Sequence, residues 1–135
     1  MNIIAIIPAR MGSSRFPGKP LADIHGIPMV GHVTIRTAMC KELSSTWIAT
    51  CDQVVMDYAA SAGLKAVMTA DTHVRCTTRT AEAMLKIEEM TGQRADIVVM
   101  VQGDEPMITP DMIDAAVEPM PVSYTHLTLP TKLEV

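Results

Sequence analysis

Residues 3–7 read Ile-Ile-Ala-Ile-Ile and stop at Pro8. Side chains of a β-strand alternate between its two faces, so a run with no polar position has no face to turn to water. Such a strand needs cover on both sides, the condition met by a parallel sheet packed between helices. Asp96-Ile97-Val98-Val99-Met100-Val101 repeats the pattern. Between these runs the spacing predicts a helix from Pro28 to about Lys41, with Met29, Val33, Arg36 and Ala38 marking its turns. It then predicts a strand over Thr46–Thr50, a helix capped by Asp52 and ended by Gly63, and a short strand over Lys65–Thr69. A further helix over Thr78–Met90, stopped by Gly92, has Ala81, Met84, Leu85 and Ile87 or Glu88 at helical spacing, and Pro110–Val117 forms a last one behind Thr109 as N-cap. Strands alternating with helices give an α/β sandwich with a mainly parallel sheet, whose ligands sit beyond the carboxyl ends of the strands.

Composition narrows the function. The net charge is −4, and one Trp, two Tyr and one Phe leave little to stack on bases, which disfavours nucleic acid as a partner. No apolar run reaches the length of a membrane span, and residues 2–8 lack the basic flank of a signal peptide, so a soluble cytoplasmic protein is expected. Cys40, Cys51 and Cys76 are odd in number and widely spaced, which argues against a disulfide framework and a cysteine zinc site. His25, His32 and His126 have no partner at metal-ligand spacing and are taken as structural or surface groups, and the twelve methionines as core fillers.

Three loops carry chemistry. Ala9–Pro20 holds Arg10, Arg15 and Lys19 with no acid among them, together with Gly12 and Gly18. Cations plus closely approaching backbone N–H groups are what a polyphosphate requires. A solvated, proline-punctuated surface loop is the other reading. The loop fits neither the Walker A pattern nor G-x-G-x-x-G. Val101-Gln102-Gly103-Asp104-Glu105-Pro106 leaves its strand at the same sheet edge, and Asp104, with Glu105 as the spare, suits Mg²⁺, unless this is only a strand-ending turn. Thr69–Arg79 either reads a base edge through its hydroxyls and Arg75, or is a helix entry with Thr77 or Thr78 as N-cap and Arg79 facing solvent.

These residues resemble a known family. Ile7-Pro8-Ala9-Arg10, Ser14-Arg15, Pro17-Gly18-Lys19-Pro20-Leu21 and Ile24-x-Gly26-x-Pro28-Met29 look like the opening of the 3-deoxy-manno-octulosonate (KDO) cytidylyltransferases. Val101–Pro106 is similar to that family's second signature, and Ala49-Thr50 and Met68-Thr69 to Glu82 follow in the same order. The resemblance implies a Rossmann-like nucleotidyltransferase fold, a homodimeric full-length protein, and transfer of CMP from CTP to a 3-deoxy sugar acid for lipopolysaccharide synthesis. It implies that Arg10 and Lys19 hold the triphosphate beside Arg15, and that Ala9, Arg75 and Thr77 contact the cytidine. Gln102 would touch nucleotide and sugar, the sugar also meeting Arg10, and Asp104 would bind Mg²⁺. Arg10, Lys19 and Asp104 carry the catalysis in this scheme.

The sequence departs from the family pattern at Arg75 and Cys76, where Ser and Gly are usual, at Thr78, where an acid is usual, and at Thr50-Cys51-Asp52, where an Asp more often follows the Thr directly. Residues 1–120 are expected to be the nucleotide-binding part of a longer cytidylyltransferase and to be inactive alone. Residues 121–135 shift in composition and form either an edge strand over Tyr124–Leu129 or a non-native tail. A cytidylyltransferase for another sugar acid, and a nucleotide-binding module without turnover, are the alternative functions.

Overall fold

The computed structural model describes residues 2–12, 18–72, 76–102 and 126–129, the last of these as backbone, and omits the side chains of Lys19 and Cys76. Among the described residues, β1 (Ile3–Pro8), β4 (Ser45–Thr50), β5 (Lys65–Met68), β6 (Ile97–Val101) and β7 (His126–Leu129) form one sheet in the order β5-β4-β1-β6-β7. Every pairing in it is parallel. Helices α1 (Met29–Ala38), α2 (Gln53–Ala62) and α3 (Cys76–Thr91) connect the strands, and β2 (Asp23–Ile24) with β3 (Ile27–Pro28) makes a small antiparallel hairpin. The expected Rossmann-like α/β architecture is the one observed.

The apolar run of β1 divides between two cores. Ile3 and Ile7 join Val30 and Val33 of α1, Val55 and Ala59 of α2, and Ile97, Val99 and Val101 of β6. Ile4 and Ile6 face the other way, onto Ala83 and Ile87 of α3 with Trp47, Ala49, Val67 and Val98. Ile4, Ile6 and Ile7 are almost completely buried, and each fully buried side chain of this size contributes about 1.5–3 kcal/mol. The chain runs outward from β1 through β4 to β5 on one side, then returns through α3 to β6 on the other. Helix α1, which follows β1, therefore packs on one face of the sheet and α3, which leads into β6, on the other, the strand-order reversal beside β1 at which open α/β sheets take their ligands.

The helices differ from the sequence expectation in which face they bury. α1 ends at Ala38 rather than near Lys41, and its buried stripe is Val30, Gly31, Val33, Thr34 and Thr37, not Met29, Arg36 and Ala38. The two threonines enter the core because their hydroxyls donate to the Val30 and Val33 carbonyls, both at 2.7 Å. α3 begins at Cys76, so Thr77 and Thr78 lie inside its first turn and not at the N-cap position. Its buried stripe is Arg79, Thr80, Ala83 and Ile87, whereas Leu85 is 61% exposed and Ala81 is also outside. β5 stops at Met68, one residue early. Gly63 and Gly92 end their helices with φ of 72° and 69° as left-handed C-caps. His32 bridges to the Ile24 carbonyl at 2.7 Å, a structural role, and Cys40 and Cys51 are not disulfide-bonded, the first being buried. The helix expected over Pro110–Val117 lies outside the described residues. β7 covers residues 126–129 of the span that the edge-strand alternative gave to Tyr124–Leu129.

Helices α1 and α2 approach closely at Gly31. A Cβ there would collide with the Tyr58 hydroxyl and come within 2.9 Å of Ile27 Cγ2. Burial also pushes the Tyr58 phenol above its usual pKa. Gly31→Ala is expected to destabilise the chain by about 1–3 kcal/mol through overpacking, measured as a lowered urea midpoint at unchanged slope; an unchanged midpoint would contradict this packing.

Candidate functional site

The parallel register fixes what meets at the carboxyl edge. Ile6 pairs with Met100, so two residues further along Pro8 is level with Gln102, and the loops after β1 and β6 start side by side. Pro8 pairs with Ala49, so three residues further along Met11 is level with Asp52. The Ala9 N–H continues the ladder by donating to the Ala49 carbonyl at 2.8 Å, which buries Ala9 and sends Arg10 outward.

The loop after β1 is closed at its neck. The Gly18 N–H donates to the Met11 carbonyl at 2.8 Å, and the Leu21 N–H donates to the Gly18 carbonyl at 3.1 Å. Gly18 has φ of 78°, a left-handed conformation that favours glycine. The neck draws together the two residues that flank it, Arg10 and Lys19, although eight residues separate them in the chain. Lys19 opens a short 3-10 turn, Lys19–Leu21, behind which Pro20 is buried. Arg10 is exposed and has no hydrogen bond or ion pair among the described residues. It is therefore a cation free to meet an anion.

Gln102 follows β6 directly and is half-buried, with no side-chain hydrogen bond among the described residues. Thr77 is half-buried in the first turn of α3. Ala9, Arg10, Lys19, Thr77 and Gln102 thus all belong to segments that leave the same edge of the sheet. Arg15, Arg75, Asp104 and Glu105 lie outside the described residues.

Two residues matter here that the sequence reading placed otherwise. Asp52 stands at the N-cap of α2 but makes no side-chain cap hydrogen bond. Its Oδ2 instead accepts the Met11 N–H at 2.8 Å. Arg79, which one of the two sequence readings turned to solvent, is 3% exposed, and its Nη1 donates to Thr69 Oγ1 at 2.7 Å and to the Ala70 carbonyl at 3.4 Å. One and two turns further along α3, Glu82 accepts the Ala70 N–H with both carboxylate oxygens (3.1 and 3.2 Å), and Lys86 donates to the Met68 carbonyl at 2.6 Å while pairing with Glu82 at 3.0 Å. Three turns of α3 therefore bind the backbone that leaves β5. A signal for Arg79 was present, since Arg79, Ala83 and Ile87 recur every fourth residue. For Asp52 only the sheet register, not the local sequence, reveals the partner.

A family profile described as Cytidylyltransferase matches residues 4–131. The chain is 47% identical over 119 residues to the 3-deoxy-manno-octulosonate cytidylyltransferase of Trichlorobacter lovleyi, a match covering 88% of this chain and 45% of that protein. It is 44% identical over 118 residues to the 8-amino-3,8-dideoxy-manno-octulosonate cytidylyltransferase of Shewanella amazonensis, covering 87% of this chain and 47% of that one. Among solved structures, a CMP:2-keto-3-deoxy-manno-octonic acid synthetase complexed with CTP superposes with a TM-score of 0.82 at 42% identity, covering 89% of this chain and 47% of that chain. The chain spans about half the length of the relatives it matches. Among the described residues no helix is long and apolar enough to cross a membrane.

Replacing Arg79 by Ala leaves Thr69 Oγ1 and the loop after β5 without their charged donor. It is expected to cost about 1.5–3 kcal/mol of unfolding free energy, read from chemical denaturation; a loss below about 0.5 kcal/mol, usual for a surface position, would show that this side chain holds nothing.

Proposed function

The chain belongs to the cytidylyltransferase family, and we propose that it is the nucleotide-binding part of an enzyme that transfers CMP from CTP to a 3-deoxy sugar acid. The product sugar nucleotide would serve lipopolysaccharide synthesis in the cytoplasm, and the whole protein would act as a homodimer. The observation that carries this reading is the closed loop neck between Met11 and Gly18, flanked in sequence by Lys19 and by Arg10, which has no partner among the described residues, at the carboxyl edge of the sheet. Its likeness to a CTP-bound synthetase supports CTP as the nucleotide.

In the reaction, the anomeric hydroxyl of the sugar attacks the α-phosphorus of CTP. An oxygen–phosphorus bond forms, the bond to pyrophosphate breaks, and the hydroxyl proton passes to solvent. No covalent enzyme intermediate is needed, so the protein's task is positioning and charge neutralisation. Arg10 forks onto phosphate oxygens and Lys19 supplies a point charge. Arg15 adds to the same basic loop. Backbone N–H groups of the glycine-bearing loop approach the phosphates, Ala9, Arg75 and Thr77 face the cytidine, and Gln102 and Arg10 orient the sugar. Among the described residues no group of three His, Cys, Asp or Glu comes together as a metal cage. Mg²⁺ takes only one or two carboxylates and completes its shell with phosphates and water, so the carboxylate of Asp104, two residues past Gln102 in sequence, has the chemistry to hold this ion. When bound, it would neutralise phosphate charge.

A second reading, a cytidylyltransferase for a related sugar acid, is favoured by the likeness to the 8-amino sugar enzyme of Shewanella amazonensis. Supplying candidate sugar acids with CTP to the full-length gene product, and measuring pyrophosphate release, distinguishes the two by which acid is turned over.

Lys19→Ala is expected to weaken CTP binding by about 10–100-fold, the scale of one charged phosphate contact, while leaving the unfolding midpoint unchanged; calorimetry giving an unaltered affinity would refute the loop's role. In the full-length protein, Asp104→Asn is expected to abolish CMP-sugar formation with the fold intact. Near wild-type turnover at limiting Mg²⁺ would exclude Asp104 as the metal ligand.

A further inference from the structure

We propose that Asp52 is the positioning residue of the phosphate-binding loop: it holds the loop neck by its backbone, so that Arg10 and Lys19 are presented together before any ligand arrives. The proposal rests on the nucleotide reading above for the identity of the ligand, and on the following geometry for the tether.

Asp52 occupies the position where an acidic residue ordinarily caps a helix, yet its side chain accepts no N–H of α2. Val55 and Met56 N–H groups are served by the Asp52 backbone carbonyl, at 3.1 and 3.2 Å. Its carboxylate reaches across the sheet edge to the Met11 N–H instead, 41 residues away in sequence, at 2.8 Å and part-buried. Asp52 is itself held, because its N–H donates to Thr50 Oγ1 at 3.1 Å and Thr50 is fully buried at the end of β4. The Cys51 thiol lies 3.7 Å from the same Oδ2.

Met11 is the hinge of the arrangement. Its N–H is taken by Asp52 and its carbonyl by the Gly18 N–H. Both ends of the loop are thus fixed through a single residue, and that residue is fixed by a single carboxylate. Arg10 and Lys19 sit one position outside the clamp on either side. Without the Asp52 acceptor, the Met11 peptide is free to rotate, the neck bond to Gly18 loses its orientation, and the two cations separate. What a ligand then has to supply is the ordering that the tether supplies in advance, and affinity falls accordingly.

The role requires an acceptor and not a charge. A negative carboxylate near bound phosphates opposes them electrostatically, so a neutral acceptor of the same shape serves at least as well. This separates a tether from a metal ligand, for which the charge is the point.

The test compares the wild-type chain with Asp52→Ala and Asp52→Asn in two measurements. Amide hydrogen exchange without ligand is expected to show protected Met11 and Gly18 amides in the wild type and in Asp52→Asn. In Asp52→Ala both should lose protection, while Ile4 to Ile7 stay protected. Calorimetry with Mg²⁺ is expected to show CTP affinity lowered by about tenfold or more in Asp52→Ala, the size of one lost hydrogen bond, with cytidine affinity unchanged. Asp52→Asn should bind CTP as tightly as the wild type or more so. Retained Gly18 protection in Asp52→Ala, or equal losses of CTP affinity in Ala and Asn, would overturn the tether, the latter assigning Asp52 to a metal. A wild type that binds no CTP would instead overturn the nucleotide reading, and the exchange data would still decide whether Asp52 holds the neck.

Discussion

The rest of the structure depends on the two-sided burial of β1. Ile3 and Ile7 lie in one core and Ile4 and Ile6 in the other, so neither face of the strand tolerates water and helices must cover both. Once β1 is central, its parallel registers with β4 and β6 decide which loops become neighbours. Pro8 level with Ala49 brings Met11 to Asp52, and Ile6 level with Met100 brings Pro8 to Gln102. The site is therefore a consequence of strand register: a slip of even one residue would exchange the two cores and part Met11 from its acceptor.

The same arrangement accounts for the division of labour at the carboxyl edge. The β1 loop brings Arg10, without a partner among the described residues, and a glycine-shaped neck. The β6 loop brings an amide and, in sequence, the carboxylate that follows. The β5 loop is held from behind by Arg79, Glu82 and Lys86 along one face of α3. The polar side chains buried near this edge, Thr50, Thr69 and Arg79, bond backbone or each other. The exposed or half-buried ones, Arg10, Thr77 and Gln102, have no such obligation among the described residues. Groups that hold the loops and groups left for a ligand are thus separate sets.

Much of this was legible in the sequence because the strands are strongly marked. β1, β4, β5 and β6 and the ends of α2 and α3 at Gly63 and Gly92 fall within a residue or two of where apolar runs and glycines put them. The hairpin β2–β3 was not legible: each strand has two residues, too few to show a period. Its turn rests on His25 and Gly26 at positive φ and on Asp23 Oδ2 accepting the Gly26 N–H at 3.1 Å. Helix faces were misjudged where the buried stripe is polar. Thr34 and Thr37 satisfy their hydroxyls on their own helix, and Arg79 satisfies its guanidinium on the β5 loop, so hydrophobicity alone pointed to Leu85 and Ala81. The chemical loops were visible as residue types, but the Asp52 tether was not, since an aspartate between strand and helix reads as a cap until the register is known.

The central claim is that the carboxyl edge at the ends of β1 and β6 receives CTP. Backbone amide chemical shifts of the chain, followed by ¹H–¹⁵N correlation spectra during titration with CTP and Mg²⁺, test it most directly. The account predicts saturable changes concentrated at Ala9–Gly12, Gly18, Lys19 and Gln102. Changes confined to the opposite edge, in the groove lined by Ser44, Ser45, Gly63 and Lys65, or no saturable change at all, would contradict it.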